Sequence, residues 1–112
     1  MAQQNTNPAY RTFSVTCAAG NTTYALAVLL RAVDATLVGA PVREFSIQAE
    51  PDTNTGVLLV GDENTSATRY GYKLKAGDTR VYRSSMYFDV YLEHFYVRSD
   101  TAGYKINIEI CA

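Results

Sequence analysis

Two carboxylates and a histidine are the residues whose types and spacing come closest to acid–base chemistry. Asp89 and Glu93 lie four residues apart, and His94 follows directly. Glycoside hydrolysis uses a pair of carboxyl groups at a set separation, one of them as a general acid. If residues 86–97 form one strand, both carboxylates lie on the same exposed face. A small hydrolase is therefore one hypothesis, although solvated carboxylates balanced by nearby arginines are the simpler interpretation.

The single histidine limits the other classes of enzyme. A zinc site needs several histidine or cysteine ligands that converge, and Cys17 and Cys111 lie near opposite ends of the chain. A nucleophile–base triad would also depend on His94, and Ser84-Ser85 lies in a predicted turn with no nucleophile-elbow sequence around it. We therefore expect no enzymatic activity, no metal and no other cofactor.

Residues 52–63 place oxygen-bearing side chains at alternate positions, as a calcium-binding loop does. However, Val57 occupies the position where such a loop needs glycine, and the apolar residues 57–60 would have to lie inside the loop. A turn between two strands is the better interpretation. No Walker A or G-x-G-x-x-G sequence occurs either, so a phosphate-binding loop has no support.

The composition is that of one folded domain. The chain has 112 residues, 47% of them apolar and 19% charged, and ten basic against eleven acidic residues give a net charge of −1. This balance lacks the positive field that drives binding to nucleic acid, so we expect no nucleic-acid partner. A chain of this length buries roughly two-thirds of its unfolded surface, which is enough for a core without disulfides or metal.

The first residues carry no secretory signal, and no stretch is long and apolar enough to cross a membrane. We therefore expect synthesis in the cytoplasm and no membrane partner, with both cysteines as buried thiols rather than a disulfide. Residues 1–9 are polar, and we expect them to form a flexible arm outside a single β-sandwich domain of residues 10–112.

Alternation of apolar and polar residues predicts most of the elements that must position any site. It predicts strands at 10–17, 44–49, 70–74, 79–82, 96–98 and 104–110, and the short apolar run at 57–61 predicts a core strand. The strands at 96–98 and 104–110 flank the turn Asp100-Thr101-Ala102-Gly103, which indicates a hairpin. Its second strand places Tyr104, Ile106, Ile108 and Ile110 on one face.

Residues 23–33 fit two structures. Alanine and leucine favour a short helix there, whereas the unbroken apolar run also suits a buried strand. Short strands with at most one helix indicate a mainly β fold, an antiparallel β-sandwich or jelly roll.

Tyrosine is unusually abundant, with nine tyrosines and four phenylalanines but no tryptophan. Tyrosine offers a large contact area at low entropic cost and is enriched at interfaces. Treated as one strand, residues 86–97 have a core face and an aromatic outer face. We predict an interaction surface on the outer face, with rings that merely rim the sandwich as the alternative. The surface residues would be Tyr87, Tyr91 and Phe95, opposite a core face of Met86, Phe88, Val90 and Leu92.

Several short segments between residues 43 and 110 share the pattern of one family. They are Ile47-Gln48-Ala49, Gly56-Val57-Leu58-Leu59-Val60-Gly61-Asp62, Gly71-Tyr72-Lys73-Leu74-Lys75-Ala76-Gly77-Asp78, Phe95-Tyr96-Val97-Arg98-Ser99, Ala102-Gly103 and Ile106-Asn107-Ile108. In these segments the chain resembles the decoration, or cement, proteins of tailed-bacteriophage heads. The resemblance implies a compact β domain bound outside the capsid shell, often as a trimer, that reinforces contacts between major capsid subunits. The tyrosine density and the segment 82–96 depart from the family pattern, so no functional residue is carried over.

Two hypotheses for function follow. The leading one is a non-enzymatic virion structural protein on the capsid surface, whose partners are the major capsid protein and further copies of itself. It would bury apolar and tyrosine surface at many identical junctions, so that weak contacts add through multivalency. The second is a carbohydrate-binding or host-attachment β-sandwich module of a head fibre or tail, in which Tyr87, Tyr91 and Phe95 stack on sugar rings. The absence of tryptophan weakens this second hypothesis.

Overall fold

The computed structural model of the protein describes residues 10–34 and 41–111, and the predicted arm at residues 1–9 lies outside this range. An α-helix, α1 (Leu26–Val33), follows the second strand, and a 3₁₀ turn (Leu92–His94) precedes the seventh. The strands are β1 (Tyr10–Cys17), β2 (Thr22–Ala25), β3 (Glu44–Ala49), β4 (Val57–Gly61), β5 (Tyr72–Lys75), β6 (Thr79–Arg83), β7 (Tyr96–Ser99) and β8 (Tyr104–Cys111).

The strands form two antiparallel sheets of four strands each. Sheet A has the order β1-β8-β3-β6 and sheet B has the order β2-β7-β4-β5. Among the described strands, β4 and β5 are the only consecutive pair that lie side by side, because the other connections cross between the sheets. This order is that of a jelly roll, so the predicted mainly β sandwich is confirmed.

The core lies between the sheets and is filled by alternate residues of their inner faces. Sheet A contributes Phe45, Ile47 and the alternating face of β8, and sheet B contributes Leu58, Val60 and Val97. The predicted face of β8 is confirmed, because all four of its side chains are at most 3% exposed. These are Tyr104, Ile106, Ile108 and Ile110.

The stretch at residues 23–33 contains both of the structures that fit it. Its beginning belongs to β2, which pairs with β7, and α1 starts immediately afterwards. Leu26, Ala27 and Leu30 are the buried residues of α1, and their spacing places them on one face of a helix. Helix α1 forms where β7 no longer offers pairing partners, and it packs against β1 and the 3₁₀ turn.

The predicted hairpin of residues 96–98 and 104–110 is wrong in its pairing. β7 pairs with β2 and β4, whereas β8 pairs with β1 and β3, so the two strands lie in different sheets. The turn between them crosses the sandwich. Alternation shows which side chains of a strand face the core, but it carries no information about which strands are its neighbours.

The prediction of one strand across residues 86–97 is also wrong. A tight turn closes at residues 85–88, an isolated bridge joins Val90 to Val42, and the 3₁₀ turn follows before β7 begins. Because these residues have few backbone pairing partners, their side chains do not alternate between the core and the solvent. Met86 and Phe88, predicted to lie in the core, are 87% and 61% exposed, whereas Val90 and Leu92 are buried.

Both cysteines are free and buried, as predicted. Cys17 pairs with Tyr104 at one end of the β1–β8 ladder, and Cys111 pairs with Tyr10 at the other. The seven residue steps between them span about 23 Å, far beyond the reach of a disulfide. Burial raises the pKa of the Cys17 thiol to about 11, although a hydrogen bond with Ser99 opposes this shift.

Candidate functional site

The turn between β6 and β7 carries three adjacent apolar side chains that face the solvent. The Ser85 N–H donates to the Phe88 carbonyl over 2.9 Å, and the Ser85 Oγ accepts a bond from the Tyr87 N–H over 3.1 Å. These bonds fix a tight turn with Met86 and Tyr87 at its apex. Met86 is 87% exposed, Tyr87 88% and Phe88 61%. These three residues form what we call the apolar tip.

Both stems of this turn are tied to the segment that leads into β3. The Ser84 N–H donates to the Arg43 carbonyl over 2.8 Å, and the Val42 N–H donates to the Val90 carbonyl over 2.8 Å. The Arg43 N–H in turn donates to the Cys111 carbonyl at the end of β8. The apolar tip therefore extends from an anchored base.

A cavity of about 310 Å³ lies beside the apolar tip, and Phe88 belongs to both. Aromatic rings form much of its wall, and charged or polar side chains stand among them. We call this cavity the aromatic cleft. Its rings are those of Tyr82, Phe88, Tyr91 and Phe95, and its polar groups are those of Arg80, Arg83, Asp89 and His94.

The rings at the base of the aromatic cleft pack on one another. Phe45, which is fully buried, stacks on Tyr82 with ring centroids 5.1 Å apart and meets Phe95 edge-on at 4.9 Å. The centroids of Tyr82 and Phe95 are 4.5 Å apart. Each such pair contributes about 0.5–1.5 kcal/mol beyond its buried area. The core therefore fixes the base of the cleft.

Arg80 closes the side of this cluster. It lies two residues before Tyr82 on β6, an edge strand, and therefore projects from the same face. Its Cζ lies 3.8 Å from the ring centroid of Tyr72 on β5, and its Nη2 donates to the Tyr72 hydroxyl over 2.6 Å. Arg80 thus connects the edge strands of the two sheets. Burial raises the pKa of Tyr82, and the nearby Arg80 opposes part of that shift.

The three residues predicted to form an interaction surface do not form one aligned patch. Tyr87 lies on the apolar tip, whereas Tyr91 and Phe95 are partly buried and line the aromatic cleft. The 3₁₀ turn between Tyr91 and Phe95 removes the two-residue repeat that would have aligned them. The structure nevertheless places all three residues at or beside the same part of the surface.

The two predicted carboxylates line different cavities, and His94 borders both of them. Asp89 and His94 line the aromatic cleft, whereas a carboxylate oxygen of Glu93 lies 3.5 Å from Arg31 of α1. Glu93 lines a different cavity, beside the loop that follows β4. The prediction that Asp89 and Glu93 share one strand face is therefore wrong, because Leu92–His94 is a 3₁₀ turn. Within residues 10–34 and 41–111, no three His, Cys, Asp or Glu side chains are arranged to hold a metal ion.

Sequence reasoning missed the contribution of β5 and β6 to this site. Arg80 and Tyr82 share a strand face, and Tyr72 belongs to the preceding strand. An arginine on the inner face of a strand is unusual, because that face normally carries apolar residues. Arg80 in the predicted strand at 79–82 was therefore the sequence feature that indicated an edge strand, where an arginine covers one side of an aromatic cluster.

No known protein-family model matches the chain, and no curated protein matches its sequence. In the part of the chain that the structure describes, no helix has the length and apolar character needed to span a membrane.

Proposed function

We propose that this protein is a non-enzymatic structural component of a bacteriophage head, which binds the outside of the shell through its apolar tip. The observation that carries the proposal is the tip itself, three adjacent large apolar side chains that are 61–88% exposed. Side chains in water add little to the stability of the isolated fold, and contiguous exposed apolar patches mark interaction sites. The resemblance to decoration proteins supports the choice of partner, the major capsid protein.

The side chains of the tip suit insertion between protein subunits. Tyr87 and Phe88 offer rigid rings of the kind that dominate binding energy at interfaces, and Met86 adapts to irregular pockets. Burying one such side chain is worth about 1.5–3 kcal/mol. The anchored base holds the tip in one orientation, so little conformational freedom is lost on binding.

Repetition would turn this modest contact into firm attachment. A shell presents many copies of the same junction, and a trimer would engage three of them through one assembly. We therefore propose that the protein acts as a trimer on the virion surface after synthesis in the host cytoplasm. The jelly-roll topology suits this role but does not decide it, because the same topology serves many functions.

The proposal is tested by removing the tip while leaving the fold intact. The variant M86S/Y87S/F88S should occupy heads that lack the native protein at least about tenfold more weakly than the unchanged chain. The matched control is Val28→Ser on α1, since Val28 is also apolar and 59% exposed. The control should occupy heads normally. Equal occupancy by the tip variant and the unchanged chain would contradict the proposal.

A second candidate function rests on the aromatic cleft. Its rings and its polar groups form the combination that sugar-binding sites use, with stacking on ring faces and hydrogen bonds to hydroxyls. Under this alternative the protein is a carbohydrate-binding or host-attachment module. A glycan array distinguishes the two functions. Binding to defined glycans that is lost in Tyr91→Ala but kept in M86S/Y87S, which leaves Phe88 of the cleft in place, would favour the cleft.

A further inference from the structure

A further pocket lies on the outer face of sheet B, and it shares no lining residue with the apolar tip. Lys73 of β5 and Arg98 of β7 both pair with Leu59 of the strand between them. Directly paired residues project from the same face of a sheet, so the two cationic side chains flank Leu59 on that face. With strands about 4.8 Å apart, their Cα atoms are separated by about 10 Å. Leu59 itself is 7% exposed and forms an apolar floor between them.

The loop between β4 and β5 builds one wall of this pocket. The Thr23 hydroxyl donates to the Thr65 carbonyl over 2.8 Å, and the buried Thr65 hydroxyl donates to the Asp62 carbonyl over 2.6 Å. These bonds hold the loop against sheet B and bring Tyr70 to the pocket. The enclosed volume is about 130 Å³, enough for roughly four water molecules.

The opposite wall is also fixed. Asn21 has a positive φ of 54°, and its N–H donates to the Ser99 carbonyl over 2.7 Å. At the rim, Asp100 accepts a bond from the Val57 N–H over 2.9 Å. A Cβ at Gly56 would lie 2.1 Å from Asp100 Oδ1, so the glycine makes room for this carboxylate.

The charges of the pocket are only partly compensated. Among the described residues, neither Lys73 nor Arg98 has a carboxylate oxygen within 4.0 Å, although Arg11, Arg31 and Arg83 each have one. The half-buried Arg98 has one long bond, from its Nη1 to the Thr23 hydroxyl at 3.5 Å. A partly desolvated cation without a close anionic partner favours the binding of an anion.

We propose that this pocket binds a single oxyanion group, such as a sulfate, phosphate or carboxylate carried by a larger ligand. Arg98 and Lys73 contact the anion from opposite sides of Leu59, and the Tyr70 side chain lines the wall beside them. Asp100 repels a second negative charge at the rim but accepts hydrogen bonds from hydroxyl groups there. The pocket therefore selects one anionic group with neutral polar atoms next to it.

The test is a titration of the purified protein with sodium sulfate and, separately, sodium phosphate. Chloride keeps the ionic strength constant, and backbone amide signals are followed by NMR. We expect saturable shifts at Leu59, Lys73 and Arg98. The variants Lys73→Gln and Arg98→Gln should each weaken binding of the anion by about tenfold, the equivalent of about 1.4 kcal/mol.

The matched control is Lys105→Gln, which removes an exposed lysine from the outer face of sheet A. It should bind sulfate like the unchanged chain. Shifts that do not saturate, or that weaken equally in the control, would mean general ionic screening and overturn the proposal. Dispersed amide spectra confirm that each variant is folded. The result is independent of the apolar tip, because M86S/Y87S/F88S should retain the site in full.

Discussion

β8 and the connection between β6 and β7 are both rich in large apolar side chains, but only β8 uses them to hold the fold. β8 lies inside sheet A between β1 and β3, and its inward side chains from Tyr104 to Ile110 are at most 3% exposed. The connection has one isolated bridge to residue 42, and its apolar tip stands in water. Burial therefore requires neighbouring strands and a facing sheet as well as an apolar residue.

This difference separates stability from binding. Side chains on β8 exchange water for close packing when the chain folds, so their loss creates cavities. Side chains on the apolar tip remain in water in the isolated protein, so their loss leaves the folded state almost unchanged. Substitutions on β8 should therefore lower the free energy of unfolding. Substitutions on the apolar tip should weaken binding and leave the free energy of unfolding almost unchanged.

The largest effect on stability is expected in β8. Ile106→Ala removes a fully buried side chain between the sheets and should lower the free energy of unfolding by about 2–5 kcal/mol. Urea denaturation followed by circular dichroism measures this change. A loss below about 1 kcal/mol would show that the core tolerates a cavity at β8, and the contrast between the regions would disappear.

Alkali should act on the same buried region. Burial raises the pKa of Cys17 from 9.0 to about 11, and burial together with nearby acidic groups raises that of Tyr104 from 10.0 to about 12. The unfolded chain loses these protons first, so stability is intact below pH 9 and declines as the pH rises towards 12. Each group contributes on the order of 2 kcal/mol.

Urea midpoints measured between pH 8 and pH 12 test this decline. Cys17→Ala should remove the earlier part of it, between about pH 9 and pH 10, and leave the part due to Tyr104. A midpoint that stays constant up to pH 11 would contradict the burial of these two groups.

A smaller effect on the free energy of unfolding is expected where the aromatic cleft meets the core. Arg80→Ala removes the contact with the Tyr72 ring and the hydrogen bond to its hydroxyl, which together are worth about 1–2 kcal/mol. The matched control is Arg83→Ala, because Arg83 is exposed and its ion pair with Glu44 lies at the surface. The control should change stability by at most about 0.5 kcal/mol. Equal losses in the two variants would show that Arg80 has no special role at this edge.

The same contrast explains which elements could be predicted from the sequence. Alternation located β1, β3 and β8 closely, because each pairs with a neighbouring strand and has one buried face, and a short apolar run located β4, whose Leu58, Leu59 and Val60 are all buried. Residues 86–95 alternate as well, yet apart from the bridge of Val90 to Val42 they lack neighbouring strands, and neighbours are set by long-range topology. For the same reason the sequence could not show that β7 and β8 belong to different sheets.

The candidate site was predictable only in part. The density of tyrosine pointed to residues near Tyr87 and Tyr91, and their role in binding stays a prediction. The contributions of Phe45, Tyr72 and Arg80 depend on contacts between β3, β5 and β6. Such contacts form because the connections between strands pass from one sheet to the other. No local pattern in the sequence predicts those connections.

The smallest effect on stability is expected at the apolar tip. Tyr87→Ala should change the free energy of unfolding by at most about 0.5 kcal/mol, because the side chain is 88% exposed. Urea denaturation beside Ile106→Ala gives the comparison directly. A loss of more than about 1 kcal/mol would mean that the tip supports the isolated fold, and its availability for binding would be in question.

The most direct test asks what the tip touches on an assembled head. Tyr87 is replaced by the photoreactive benzoylphenylalanine, the protein is bound to heads and the sample is irradiated. A control carries the same group at position 28 of α1, which is also exposed. We predict crosslinks to the major capsid protein from position 87 and few or none from position 28. Crosslinks from position 28 with none from position 87 would contradict attachment through the apolar tip.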